Sequence, residues 1–206
     1  MIEYPILFDA DAMRSLLAGR KSQVRLLAVS PLRACQPGDR LWVREVCAGG
    51  ERAAVGGQEI TAALRRAPYV VFMDGWRQDR HGQGKRGPVP TNPNLKWVPA
   101  ILMPRWASRA TLFVEAIRVA RLCEIAPDEV VAEGRVTRFG GLYWRWHEPV
   151  RGVWRDPRRA YAALWDGNHG TSGERWEDNP EVIVLNFRLE GGKGSVPVKR
   201  DLKIAG

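Results

Sequence analysis

The sequence sets flat aromatic faces beside guanidinium groups. Nine tryptophans are present, and many have arginine as a near neighbour: Trp42 and Arg44, Trp76 and Arg77, Arg105 and Trp106, Trp144-Arg145-Trp146, Trp154 and Arg155, Arg175 and Trp176. An indole ring accepts a nucleobase face to face while an adjacent guanidinium takes a phosphate, so the pairing suits recognition of a nucleotide or nucleic acid. The competing use of tryptophan is to fill a β-rich core, and Trp42 is read that way. Arg105, Trp106, Ser108 and Arg109 stand in a segment, 96–109, where Pro99 and Pro104 rule out a regular helix and leave backbone groups free for recognition. Lys21 opens a basic strand and is placed to meet a phosphate or a base carbonyl; the alternative is a solvated lysine. Arg44 and Glu45 are adjacent on a strand, so their side chains point to opposite faces. Arg44 is assigned to the cleft and Glu45 to a structural ion pair.

Other chemistries find little support. His81, His147 and His169 stand far apart and share no ligand spacing with Cys35, Cys47 and Cys123, so neither a metal nor a cofactor is expected. Three cysteines at wide spacing fit free buried thiols better than a disulfide framework. There is no Gly-x-Ser-x-Gly elbow, and no Gly-rich phosphate loop runs from a strand into a helix. Lys and Arg total 32 against 23 acidic residues, a formal charge of +9, which draws polyanions to the surface.

The elements that must position these residues follow from periodicity. Strands are predicted at 4–8, 21–27, 40–46, 69–73, 111–122 and 182–189, where apolar positions alternate or β-branched and aromatic residues cluster. Helices are predicted after Asp9 or Asp11 (Met13, Leu16 and Leu17 forming the stripe, Gly19 the stop), at 59–66, from Pro127 to Gly134 and at 158–166. Residues 74–93 read as a long loop, with glycines and prolines interleaved with Arg77, Arg80, Lys85 and Arg86, and its basic content favours a phosphate backbone. This organisation gives one domain over 1–190 with a basic Gly/Pro-rich insertion near 74–95, followed by a flexible basic tail, 191–206. The class is α+β: a small β-barrel with short helices on its flanks. No apolar run reaches the roughly 20 residues that span a bilayer and no secretory leader is visible, so the expected location is the cytoplasm. No obligate protein partner is inferred.

At four points the chain resembles the ASCH family, in particular its phage- and prophage-encoded branch. Leu17-Ala18-Gly19-Arg20-Lys21-Ser22-Gln23-Val24-Arg25 is similar to the family's Gly-Arg-Lys-Thr-x-Thr-x-Arg signature. Gly38-Asp39-Arg40-Leu41-Trp42-Val43-Arg44-Glu45 resembles its Gly-Asp-x-Leu-Trp-Val-Arg-Glu strand. Met103-Pro104-Arg105-Trp106-Ala107-Ser108-Arg109 resembles a motif of the phage branch, and Leu164-Trp165-Asp166-Gly167-Asn168 with Trp176-Glu177-Asp178-Asn179-Pro180 completes the set. The resemblance implies a PUA-like β-barrel with a cleft between barrel and helices, and a role with RNA, DNA or a modified nucleotide, in a bacterial host cytoplasm if the chain is phage-encoded. Some relatives look like amidohydrolases that deacylate the exocyclic amine of cytidine, using a Lys and a Thr of the first signature and a Glu of a helix. Lys21 matches that Lys and Glu133 that Glu. The Thr position holds Val24, which has no heteroatom to attack or donate.

Two readings follow. The first is a binding module that holds RNA, DNA or a modified nucleoside through Lys21, Arg25, Arg44, Arg105, Trp106, Ser108 and Arg109. The second is an amidohydrolase acting on 4-N-acetylcytidine or a related nucleoside, with Lys21 and Glu133 at its centre; a nuclease of the same type is a variant of it. An accessory role in phage particle formation is a third, which the sequence neither supports nor excludes.

Overall fold

In the computed structural model the described residues are 1–49, 64–92, 95–139, 143–146 and 153–191. Along the chain they form β1 (Glu3–Leu7), α1 (Ala10–Leu17), β2 (Gln23–Leu27), β3 (Arg40–Arg44), β4 (Cys47–Gly49), β5 (Tyr69–Phe72), β6 (Trp76–Asp79), β7 (Gly84–Arg86), β8 (Thr111–Arg121), α2 (Pro127–Ala132), β9 (Val136–Phe139), β10 (Tyr143–Trp146), β11 (Val153–Trp154), α3 (Pro157–Asn168) and β12 (Glu181–Leu189). The class is α+β. Five strands pair in the order β1-β3-β8-β12-β2, four as β4-β5-β6-β7 and three as β11-β10-β9. β1 and β3 run parallel, and the other pairings in the large sheet are antiparallel. All three sheets are open in the pairings of the described residues, so the closed barrel expected from the sequence is not among them.

The large sheet is held from both sides, and β12 shows why. Its Ile183, Leu185 and Phe187 join Phe8, Met13, Leu16, Leu41 and Leu112 under α1, while Val182 and Val184 point the other way to Leu122, Val130, Tyr161 and Trp165 under α2 and α3. Alternation along a strand sends successive side chains to opposite faces, so a strand apolar at both sets of positions must be covered twice. Each such buried side chain contributes about 1.5–3 kcal/mol relative to exposure. The third core lies under the four-stranded sheet, from Cys47, Val70, Phe72, Val98, Met103 and Ala107.

The helix starts follow their capping residues. Asp9 accepts a hydrogen bond from Ala12 N at 2.7 Å, Glu129 accepts from Ala126 N at 2.9 Å ahead of Pro127, and Asp156 accepts from Arg158 N at 2.9 Å. One expectation is corrected. Residues 74–93 are not a continuous loop, because β6 and β7 form an antiparallel hairpin within them. Asp79 closes its turn by accepting from His81 N and Gln83 N, both at 2.8 Å, with Gly82 at φ 76°. The predicted helix at 59–66 is described only over 64–66, which are helical; its first part and the basic tail after residue 191 lie outside the described residues. Among the described residues no helix is long and apolar enough to cross a membrane.

Candidate functional site

The period of two at β2 lines up three polar residues on one face. Lys21, Gln23 and Arg25 are all buried, Ser22 between them is exposed, and Val24 packs against the core under α1. The Lys21 ammonium donates to Gln23 O at 2.8 Å, to Glu133 O at 3.1 Å and to Glu133 Oε2 at 3.1 Å. Arg25 donates to Gln23 Oε1 at 2.5 Å, Glu133 Oε1 at 3.3 Å and Glu129 Oε2 at 2.8 Å, and Gln23 donates in turn to Asn186 Oδ1 at 2.6 Å. Burial pushes the Lys21 ammonium below the ordinary lysine range, against the pull of the Glu133 carboxylate. The same burial, with Glu133 beside it, raises the Tyr161 phenol well above its usual value. Gly134 makes the close approach possible: its φ is +80°, and a Cβ there would lie 2.6 Å from Lys21 Cβ.

So the structure brings Glu133 to Lys21 and Arg25, 112 and 108 residues away in sequence. Chemically the cluster is nearly saturated. An ammonium has three N–H donors, and all three of Lys21 are taken. The site lacks an aliphatic hydroxyl at position 24, and Val24 faces the opposite side of the strand from Lys21.

The Arg109 cluster is internal too. Its guanidinium donates to both Glu45 oxygens, Nε at 2.9 Å and Nη2 at 2.7 Å, and Nη1 donates to Asp74 at 2.9 and 3.1 Å, over the Phe72 ring 4.3 Å away. Glu45 is therefore the buried member of the Arg44/Glu45 pair, and its burial raises the carboxyl above the ordinary range despite Arg109. Arg44, assigned to a cleft by sequence, lies half-buried over the Trp42 ring at 4.3 Å and donates to Ile101 O at 2.9 Å. Ser108 donates to Val43 O at 2.8 Å from a buried position. Arg105 is exposed, forked onto Glu3 at 3.0 and 3.1 Å. Trp106 packs against the third core with the Arg80 guanidinium 4.8 Å above its ring. These residues do not converge on Lys21.

Among the described residues, Arg20, Arg65, Arg66, Lys96, Arg155 and Arg159 are exposed cations without an ion pair, and Arg77 and Lys85 on the hairpin are two unpaired cations that line a groove. The registers Tyr69↔Asp79, Val71↔Arg77 and Arg77↔Lys85 put Tyr69, Val71, Arg77, Asp79 and Lys85 on one face of the four-stranded sheet. A groove of about 810 Å³ opens there, lined by Tyr69, Arg77, Lys85, Arg86, Gly87 and Pro88. A second hollow of about 460 Å³ shares Tyr69, Arg77 and Pro88 with it and continues along Val71, Val89, Pro90 and Leu95. Neither Arg77 nor Lys85 has a carboxylate within ion-pair distance among the described residues, whereas Arg86 lies 3.8 Å from Asp74. Asp79 also lines the groove, with one oxygen taken up by the hairpin turn.

No family model and no curated protein sequence matches the chain. A solved ASCH domain is similar to it. That structure, the high-resolution crystal structure of an ASCH domain from Lactobacillus crispatus JV V101, shares 9% identity over 91% of this chain and 79% of its own, with a TM-score of 0.39. A likeness that loose fixes neither family nor function.

Sequence reasoning missed Gln23, Asn186, Glu129 and Tyr161 around Lys21, and Tyr69 in the groove. Gln23 was readable from its period with Lys21 and Arg25. Asn186, 163 residues from Gln23, offered no local signal.

Proposed function

We propose that this chain is a nucleic-acid-binding protein of ASCH type, on a PUA-like barrel with the five-stranded sheet as one wall, and that the groove beside β6–β7 receives the phosphate backbone. The observation that carries this reading is the contrast among its cations. Arg25 and Arg109 are buried against carboxylates, and Arg40 and Arg105 are paired at the surface, whereas Arg77 and Lys85 make no ion pair among the described residues and line a groove beside Asp79. A cation already matched by a carboxylate has little to gain from a phosphate; an unmatched one releases counterions when it meets one. RNA, DNA and single modified nucleotides all carry the necessary anion.

The test is fluorescence anisotropy with RNA and DNA oligonucleotides over a series of salt concentrations. Affinity is expected to fall log-linearly with salt, and Arg77→Ala with Lys85→Ala to reduce the slope by roughly 0.7–0.9 for each contact removed. A double variant with unchanged affinity and slope would falsify the assignment.

A second reading, deacylation of 4-N-acetylcytidine or a related nucleoside, draws on the 3.1 Å contact between Lys21 and Glu133. Incubation with acylated nucleosides, with Lys21→Ala as control, decides it by chromatography. Product that disappears in the control establishes the hydrolase; no product removes it.

A further inference from the structure

We infer that the groove takes a single strand in preference to a duplex, an inference that rests on the nucleic-acid reading above. Its lining is divided. One end presents Arg77, Lys85 and Arg86 beside Asp79; the other is mostly apolar, with Val89 58% exposed between Pro88 and Pro90, alongside Thr91 and Asn92. Tyr69, Arg77 and Pro88 belong to both ends and mark the join.

A duplex shows a protein phosphates and base edges, while its base faces are stacked away. A single strand shows phosphates and flat apolar base faces together, about one nucleotide apart. Only the single strand matches a groove that is cationic at one end and apolar with an aromatic ring at the join. The apolar wall is also stiff. Pro88 and Pro90 fix their own φ, so seating a base against them costs little ordering. Tyr69 opens β5 and is paired with Asp79 at the end of β6, so the ring stands on a strand end rather than in a loop. The cationic end is shaped by bare backbone: a Cβ on Gly87 would meet Arg77 Nη1 at 1.8 Å, so the guanidinium lies directly over that glycine.

The experiment measures anisotropy of short single-stranded DNA and RNA oligonucleotides and of duplexes of the same sequences, all at one salt concentration. Single strands are expected to bind at least about 10-fold tighter than duplexes, with roughly 5- to 100-fold of single-strand affinity lost in Tyr69→Leu. Tyr69→Phe keeps the ring and is expected to retain that affinity. Val89→Gly, which removes apolar surface at an exposed position without adding charge, is expected to weaken single strands and leave duplexes unchanged. The salt slope should stay the same in Tyr69→Leu, since no phosphate contact is removed. Equal, salt-dependent binding of single strands and duplexes overturns this inference and leaves the polyanion reading intact. Binding of neither, or binding indifferent to salt, overturns both.

Discussion

Replacing Arg109 by Met should cost this protein far more stability near pH 8 than near pH 5. The guanidinium makes two hydrogen bonds to Glu45, at 2.9 and 2.7 Å, and two to Asp74, at 3.1 and 2.9 Å. Glu45 is only 5% exposed, so water cannot take over when the cation is removed. Met keeps the apolar contact with Phe72 and leaves no large void, which isolates the charge effect. Breaking a buried pair in this way costs on the order of 3–5 kcal/mol.

The pH dependence follows from Glu45. Burial already raises its carboxyl above the ordinary range with Arg109 in place, and loss of that cation raises it further. A carboxyl raised in the folded state adds stability while its proton is bound, and that stability is lost as pH climbs from the unfolded value to the folded one. The variant therefore recovers about 1.4 kcal/mol for each pH unit between the folded pKa of the variant and that of the parent. Asp74 has the opposite sign. Arg109 and the Trp76 backbone N–H hold it below its usual value against desolvation, so its contribution to the parent disappears only at strongly acid pH. Urea unfolding followed by tryptophan fluorescence, at about pH 5 and about pH 8, gives both free energies. A loss under about 1 kcal/mol at the higher pH, or the same loss at both, would refute the view that a buried carboxylate is left stranded.

Gly134→Ala should destabilise by roughly 1–3 kcal/mol, because φ of +80° is strained for alanine and the new Cβ lies 2.6 Å from Lys21 Cβ; a melting temperature equal to the parent's would contradict that packing. The three thiols should be slow toward iodoacetamide in the native protein at neutral pH. Burial raises Cys35 to about 11 and Cys47 to about 12, and it also lifts Cys123 above the usual thiol value. All three should label readily in denaturant, and rapid native labelling of Cys35 or Cys47, mapped by mass spectrometry, would count against their burial.

The central sheet was legible because its strands alternate. Leu41 and Val43 in β3 and Leu112 and Val114 in β8 announce one face each, and the helix starts at Asp9 and Pro127 stand where local capping chemistry puts them. The β6–β7 hairpin was not legible. Its inward positions are Trp76, then Gln78, which donates to backbone carbonyls of residues 106–108 at 3.4 Å, and Gly84, which leaves room for the Trp76 ring, so a single apolar residue gives no readable alternation. A buried glutamine amide and a glycine gap under one indole ring position the hairpin, and a hydropathy pattern cannot register them.

The same limit decides the candidate site. A run of Arg beside Trp looks alike wherever it occurs, yet Arg109 ends on Glu45, 64 residues away, and Arg77 ends facing a groove. What separates them is the carboxylate each meets after the chain has folded, and that partner is set by strand register rather than by neighbours in sequence. The formal charge of +9 thus overstates some cations and understates others. Internal carboxylates absorb Arg25 and Arg109, whereas Arg77 and Lys85, which line a groove beside Asp79, make no ion pair among the described residues. For a binding surface, the position of the unmatched charge matters more than the total, because the field of a paired cation is largely cancelled within a few ångströms.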